Sequence, residues 1–345
     1  MAEELRADLV FEGGGMKGIG LVGALSVIEE HGYRVERRAG SSAGALVAGL
    51  SAAGYSAVEL HDLMLEADFT RFMDRGWEDR VPLAGAPLSV LLDLGIYEGV
   101  ALEEWVAGLL EERGVRTFGD LRADYGSEEP AHRYKLQVVV SDVSAHRMLV
   151  LPRDAEDALG INPEELSVAT ALRASMSIPV LFEPVRLTDP RDGSEHVLVD
   201  GGMLSNFPVW VFDTPVPRWP TIGLLLVEGD PRSAIDPSRG AGSALKTVEA
   251  VRYAVALVQT MVEAHDRIYI GQADFARTVP IETLGVKATE FGLDTGRRER
   301  LFISGRRAAE EFLPFDFKAY VRAFRGPEAV PSRRDAVRSL LRETP

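Results

Sequence analysis

Two hydrophobic spacings alternate along the first part of the chain. Asp8 to Glu12 (D-L-V-F-E) is an apolar run of strand length. Ile19 to Glu30 carries apolar residues at Leu21, Val22, Leu25, Val27 and Ile28, a helical spacing, and His31-Gly32 ends it with glycine just past the helix. Tyr33 to Ala39 can run as a strand, and Ala43 to Ala53 follows as a small-residue helix. Strand, helix, strand, helix predicts a parallel sheet with right-handed crossovers, the α/β class. Ser56 to Asp68 and Gly99 to Arg113 read as amphipathic helices. Tyr134 to Asp142 is β-branched and reads as a central strand, with Met148 to Leu151 as its hairpin partner. Ser167 to Ser175 reads as a helix, and His196 to Asp200 and Thr221 to Val227 as strands. Ala244 to Ile270 carries a long helical stripe, and Gly305 to Phe312 a last packed helix. Arg232 to Ser243 reads as an exposed loop. The expected organisation is one domain over 1–325 and a surface helix or tail over 326–345, with no internal repeat.

Composition narrows the class. The chain has 345 residues, 46% of them hydrophobic, enough to build a real core. There is no cysteine, so disulfides and thiolate chemistry are excluded. The net charge of −15 disfavours electrostatic recruitment to nucleic acid or to anionic lipid. The N-terminus has no basic region followed by an apolar core, so no secretory signal is read there. The longest uncharged run, Ala39 to Val58, is rich in Gly, Ala and Ser and reads as a buried helix, not a transmembrane segment. The expected product is soluble and cytoplasmic.

Three short blocks carry the candidate chemistry. Gly40-Ser41-Ser42-Ala43-Gly44 reads G-x-S-x-G between a strand and a helix, the setting of a nucleophile elbow. The helix start behind Ser42 offers free N–H groups and a positive dipole end to developing negative charge. Gly13-Gly14-Gly15-Met16-Lys17-Gly18 follows the first strand. It admits a dinucleotide loop, since Gly13, Gly15 and Gly18 fit G-x-G-x-x-G and Glu36 lies near the expected acidic position. It also admits an oxyanion hole built from glycine N–H groups, which the nearby serine favours. Lys17 is either a solvated charge or a group that holds the loop. Asp200-Gly201-Gly202 ends a strand in a tight turn with the carboxylate free. Of the six histidines only His265 follows Asp200, and it falls within a helical pattern flanked by charges, so no histidine is expected to complete a triad. Ser42 and Asp200 then stand as a dyad. Aspartate is a poor base at neutral pH unless burial raises its pKa.

These blocks, in this order, resemble the patatin-like phospholipases. Ala174 to Val185 also looks like the family segment before the aspartate, and Gly285 to Phe312 is similar to bacterial members, so the resemblance spans most of 8–313. It implies a three-layer α/β/α sandwich with a mainly parallel central sheet. It implies a lipid acyl hydrolase, with Ser42 as nucleophile and Asp200 as its partner. The oxyanion hole would comprise Gly13, Gly14, Gly15 and Met16, supported by Lys17, Gly18, Gly40, Gly44, Gly201 and Gly202. The family often has arginine where Lys17 stands; lysine keeps the charge but not the bidentate fork. The chemistry needs no metal or cofactor. The partner would be a lipid ester at a membrane or micelle surface. The apolar residues between Phe69 and Leu92 either contact the acyl chain or pack as ordinary core. A catalytically silent interaction module and a nucleotide-binding protein remain the alternative readings.

Overall fold

The computed structural model describes residues 4–72, 97–123, 132–214, 216–228 and 271–325. The strands are β1 (Arg6–Phe11), β2 (Arg34–Ser41), β3 (Leu136–Asp142), β4 (Arg147–Leu151), β5 (Val185–Thr188), β6 (Glu195–Asp200), β7 (Thr221–Val227) and β8 (Thr278–Glu282). The helices used below are α1 (Ile19–Glu30), α2 (Ser42–Ala52), α3 (Ala57–Glu66), α4 (Val100–Glu112), α5 (Val168–Ser175), α6 (Thr295–Phe312) and α7 (Phe317–Phe324).

Among the described residues the strands form one mixed sheet in the order β5-β6-β3-β2-β1-β7-β8, with β4 paired to β3. The five strands from β3 to β8 in that order are mutually parallel, as expected. β4 lies antiparallel along Val138–Asp142 of β3. That leaves one edge of β3 to two strands. β2 runs along it parallel as far as Ser41, opposite Val139. β6 runs along it antiparallel as far as Asp200, opposite Val140. The C-terminal ends of β2 and β6 therefore meet head to head on neighbouring residues of β3.

Strand alternation sorts the core onto two faces. Ala7, Leu9 and Phe11 of β1 join the large cluster built with α1 to α6, while Val10 faces a second cluster closed by Phe207, Val209, Val211 and Phe212. On that second face Arg37 donates from Nε to Asp8 across 2.9 Å, and its guanidinium lies 4.6 Å from the Phe212 ring. This pairing lets the charged sequence of β2 sit inside.

α1 is buried continuously from Ile19 to Ile28, as a helix enclosed between sheet and helices must be. Its outer neighbour α6 approaches to backbone contact. A Cβ on Gly305 would lie 1.8 Å from the Gly20 carbonyl oxygen, and one on Gly23 would lie 2.0 Å from that of Phe302.

Several elements differ from the sequence reading. α6 begins at Thr295, ten residues before the expected start, with the Asp294 side chain capping the Arg297 N–H. Its buried positions, Arg298, Leu301, Gly305 and Ala309, keep helical spacing but not apolar composition. β5 and β8 are additional short strands at the ends of the described sheet, and α7 follows α6. The expected helix over Ala244–Ile270, the loop before it and the tail over 326–345 lie outside the described residues, as does most of the apolar stretch between Phe69 and Leu92. Phe69 and Phe72, where that stretch begins, are buried against Trp105.

Candidate functional site

The serine elbow forms where β2 turns directly into α2. Ser42 takes φ +52, a left-handed conformation unusual for a residue with a side chain. The turn is tight enough that glycine is required on both sides. A Cβ on Gly40 would lie 2.5 Å from the Gly44 carbonyl group, and one on Gly44 would lie 2.4 Å from the main-chain oxygens of Phe11 and Glu12. The expected supporting roles of these two glycines thus have a steric basis: α2 passes close over the end of β1. Gly18 differs, since a Cβ there would meet Ala43 at 3.4 Å, an ordinary contact, so sterics do not require glycine at this position.

Ser42 Oγ donates to Asp200 Oδ2 at 2.6 Å, and the Gly202 N–H donates to Asp200 Oδ1 at 2.7 Å. Asp200 is 3% exposed and Ser42 7%. Burial pushes the Asp200 carboxyl up to about 6, against the pull of the hydrogen bonds from Ser42 and Gly202. Gly201 has no room for a side chain, since a Cβ would lie 2.2 Å from the Val139 oxygen. The sequence expectation therefore brings together two groups 158 residues apart, and burial supplies the raised pKa that the pairing needs. Among the described residues neither group bonds a histidine. His196 pairs with Asp142, His61 with Glu299 and His31 with the Val27 carbonyl.

Both main chains are tied to the start of Ala174 to Val185, the stretch noted above as family-like but given no role there. Ser175, the last residue of α5, accepts the Ser42 N–H at 2.9 Å and donates from Oγ to the Val139 carbonyl at 2.6 Å. The Asp200 N–H donates to the Ser177 carbonyl at 2.9 Å. Arg173 donates to Ser177 Oγ and to the carbonyls of Gly99, Glu98 and Glu183. The turn after these residues holds a buried valine, Val180, at φ +74. A run of serines before Ile178-Pro179 gave no signal for such a role.

The glycine loop forms a short 3-10 turn over Gly15–Gly18. The Gly13 N–H donates to the Asn206 carbonyl and the Met16 N–H to the Ala288 carbonyl, each at 3.0 Å. These two bonds remove Gly13 and Met16 from the expected set of oxyanion donors, because their hydrogens already point at protein carbonyls. Gly14 and Gly15 are left with N–H groups that meet no acceptor among the described residues. Gly15 sits at φ +54, and a Cβ there would lie 2.1 Å from the Ala288 oxygen, so glycine is needed on both counts. At the start of α2 the Ser41 side chain makes no cap, and the Ala43 N–H lacks an intrahelical acceptor. Lys17 is buried along its stem and reaches Glu228 at 3.4 Å, tethering the turn to the end of β7.

Glu12 follows β1 and is buried. Its carboxylate accepts from Asn206 Nδ2 at 3.1 Å and from the Leu226 N–H. The acidic position expected of a dinucleotide site fares differently. Glu36 lies near the start of β2, at the far end of the strand from the glycine loop, and pairs with Arg34 and Arg6. Among the described residues no group of three or more His, Asp or Glu is arranged to hold a metal ion.

Residues 9–213 match the family model described as patatin-like phospholipase. The chain is 38% identical over 307 residues to the uncharacterised protein YqhO of Bacillus subtilis, covering 89% of this chain and 97% of that one. It is 26% identical over 200 residues to the uncharacterised NTE family protein Rv2565 of Mycobacterium tuberculosis, 58% of this chain but 27% of that much longer protein. Among solved structures, VipD from Legionella pneumophila aligns with a TM-score of 0.51 at 19% identity, over 90% of this chain and 67% of that one. This last likeness speaks to the fold alone, a three-layer α/β/α arrangement about a mostly parallel sheet. β7 and β8 lie beyond the matched 9–213 yet continue the same sheet, and Ala288, between β8 and α6, braces the glycine loop.

Proposed function

The chain belongs to the patatin-like phospholipase family, and on that premise we propose that it is a serine acyl hydrolase cleaving carboxylic esters of phospholipids or acylglycerols through Ser42 and Asp200. The observation that carries the reading is the 2.6 Å hydrogen bond from a strained Ser42 to a buried Asp200 whose pKa lies near 6.

In the proposed cycle Ser42 Oγ attacks the ester carbonyl carbon and passes its proton to Asp200 Oδ2. The raised pKa makes Asp200 a competent acceptor near neutral pH, where an ordinary aspartate would be a weak one. The carbonyl oxygen becomes an oxyanion, met by the N–H groups of Gly14 and Gly15 and the positive end of α2. Collapse breaks the ester C–O bond, and the proton on Asp200 goes to the leaving alcohol. The acyl group then rests on Ser42. Water attacks it, again giving a proton to Asp200, and the fatty acid leaves as Ser42 regains its hydrogen.

A chromogenic short-chain ester and mixed phospholipid vesicles test this together, with wild type, Ser42→Ala and Asp200→Asn compared in the presence of a chelator. Loss of acid release in both folded variants supports the reading. Activity surviving in Ser42→Ala sinks it. The nucleotide-binding alternative loses ground on geometry, since Gly13 is engaged by Asn206 and Glu36 is remote from the loop. The membrane partner is part of the proposal; among the described residues no helix is long and apolar enough to cross a membrane.

A further inference from the structure

Asn206 holds Gly13 through three of its atoms. Its main-chain oxygen accepts the Gly13 N–H at 3.0 Å. Its Nδ2 donates to the Gly13 carbonyl at 3.0 Å. Its Oδ1 occupies the place a Cβ on Gly13 would need, 2.1 Å from that position, and has no hydrogen-bond partner among the described residues. The second hydrogen on Nδ2 goes to Glu12 Oε1 at 3.1 Å. Glu12 in turn is fixed by the Leu226 N–H on its other oxygen and by its own N–H to the Leu224 carbonyl at 3.1 Å. Both Asn206 and Glu12 are more than nine-tenths buried.

The consequence follows from peptide geometry. The Gly13 carbonyl and the Gly14 N–H belong to one planar trans peptide and point in opposite directions. Fixing the carbonyl on Asn206 Nδ2 therefore fixes the Gly14 N–H on the other side, where it meets no acceptor among the described residues. The peptide lies beside the nucleophile, since the Cβ site of Gly13 is 3.0 Å from Ser42 Cβ. A glycine peptide with neither neighbour held would otherwise rotate readily.

We propose that Asn206, oriented by Glu12, is a positioning residue that aims the Gly14 N–H at the oxyanion formed on Ser42. The proposal rests on the acyl-transfer reading above and deepens it. It also accounts for an amide at position 206. Both Nδ2 hydrogens face oxygens, so an aspartate of the same shape would set negative charge against the Glu12 carboxylate and the Gly13 carbonyl.

The test is steady-state hydrolysis of p-nitrophenyl butyrate by wild type, Asn206→Asp, Asn206→Ala, Glu12→Gln and the double variant Glu12→Gln/Asn206→Ala, each with its thermal midpoint. In parallel the Gly14 amide resonance is followed in protein labelled with [15N]glycine. Misaiming one oxyanion donor is expected to lower kcat about tenfold to a hundredfold, below the loss from deleting such a donor outright. KM should stay within about twofold, because the donor acts on charge present only in the transition state. Glu12→Gln should add little to Asn206→Ala, since both act through one peptide. The Gly14 resonance should move in Asn206→Asp. Folded Asn206→Asp with wild-type kcat overturns the proposal, as does a double variant whose losses are fully additive. A wild type without esterase activity fails the acyl-transfer reading instead. The positioning is then judged by the amide alone, and an unmoved Gly14 resonance in Asn206→Asp overturns it.

Discussion

Ser42 and Asp200 are hydrogen-bonded at 2.6 Å because the strands that carry them end against adjacent residues of β3, Val139 and Val140. Neither side chain reaches across a cleft to find the other. The register of one central strand sets their separation, and both backbones are then pinned to the 175–177 segment. A buried carboxylate with two donors among the described residues follows from that crowding, and with it a proton affinity suited to exchange near neutral pH.

On the proposed mechanism Asp200 must be ionised to accept the serine proton. Its pKa near 6 predicts that kcat/KM falls as pH drops through about 6, by about tenfold for each further pH unit. A short-chain ester assayed from pH 4.5 to 8.5 measures this. A profile flat through pH 6 would place the proton acceptor elsewhere.

Stability should move the other way. The folded pKa of Asp200 lies above its ordinary 3.8, so the folded state holds this proton more tightly than the unfolded chain. The stabilisation is fully present below 3.8 and is lost as pH rises through about 6. Asparagine can keep the local bonding, with Oδ1 accepting the Gly202 N–H and Nδ2 donating to Ser42 Oγ. Asp200→Asn should therefore be inactive and, above pH 7, more stable than wild type by up to ~3 kcal/mol. Urea unfolding of both proteins at pH 5 and pH 8 checks it: the gap between them should widen at the higher pH.

Ser175→Ala removes the acceptor of the Ser42 N–H and the donor to the Val139 carbonyl. Each buried main-chain group left without a partner costs about 1–3 kcal/mol. Urea unfolding should show a loss of at least ~2 kcal/mol. The elbow should also relax, with kcat falling while KM for a short ester changes little. A variant as stable and as fast as wild type would show that the strain at Ser42 is held by other contacts.

Gly305→Ala places a methyl group 1.8 Å from the Gly20 oxygen, where both partners are helix backbone. Neither can yield locally, so α6 must shift away from α1. Overpacking of this kind costs about 1–3 kcal/mol or more. Differential scanning calorimetry should find a lower midpoint. The effect should reach the glycine loop, which begins α1 and is held by Ala288 just before α6.

Much of the sheet could be read from the residues alone. Val138–Val140 and Leu224–Leu225 are buried runs whose apolarity states their place. α1 was legible to the residue because its apolar spacing is bounded by glycine at each end. β8 was not, because Pro280 breaks the pattern of an inner strand and is tolerated at the edge of the described sheet. α6 was half legible, since the side it buries is made of arginine, leucine, glycine and alanine. At the site, Ser42 and Asp200 were signalled by the glycines their turns require. Asn206, Ser175 and Ala288 were not, because the hydrogen bonds by which they hold the Ser42 and glycine-loop backbones span 133 to 193 residues or more, and such bonds leave no local pattern.

The bond from Met16 to Ala288 also bears on how this protein is made. The glycine loop is translated long before the Ala288 segment that braces it. Ser42 is synthesised well before Asp200, and both precede the loop that shapes Gly15. A nascent chain thus carries Ser42 for a time with neither Asp200 nor a finished glycine turn beside it. β8 and the Ala288 segment, translated after both, close the turn around a serine made long before them.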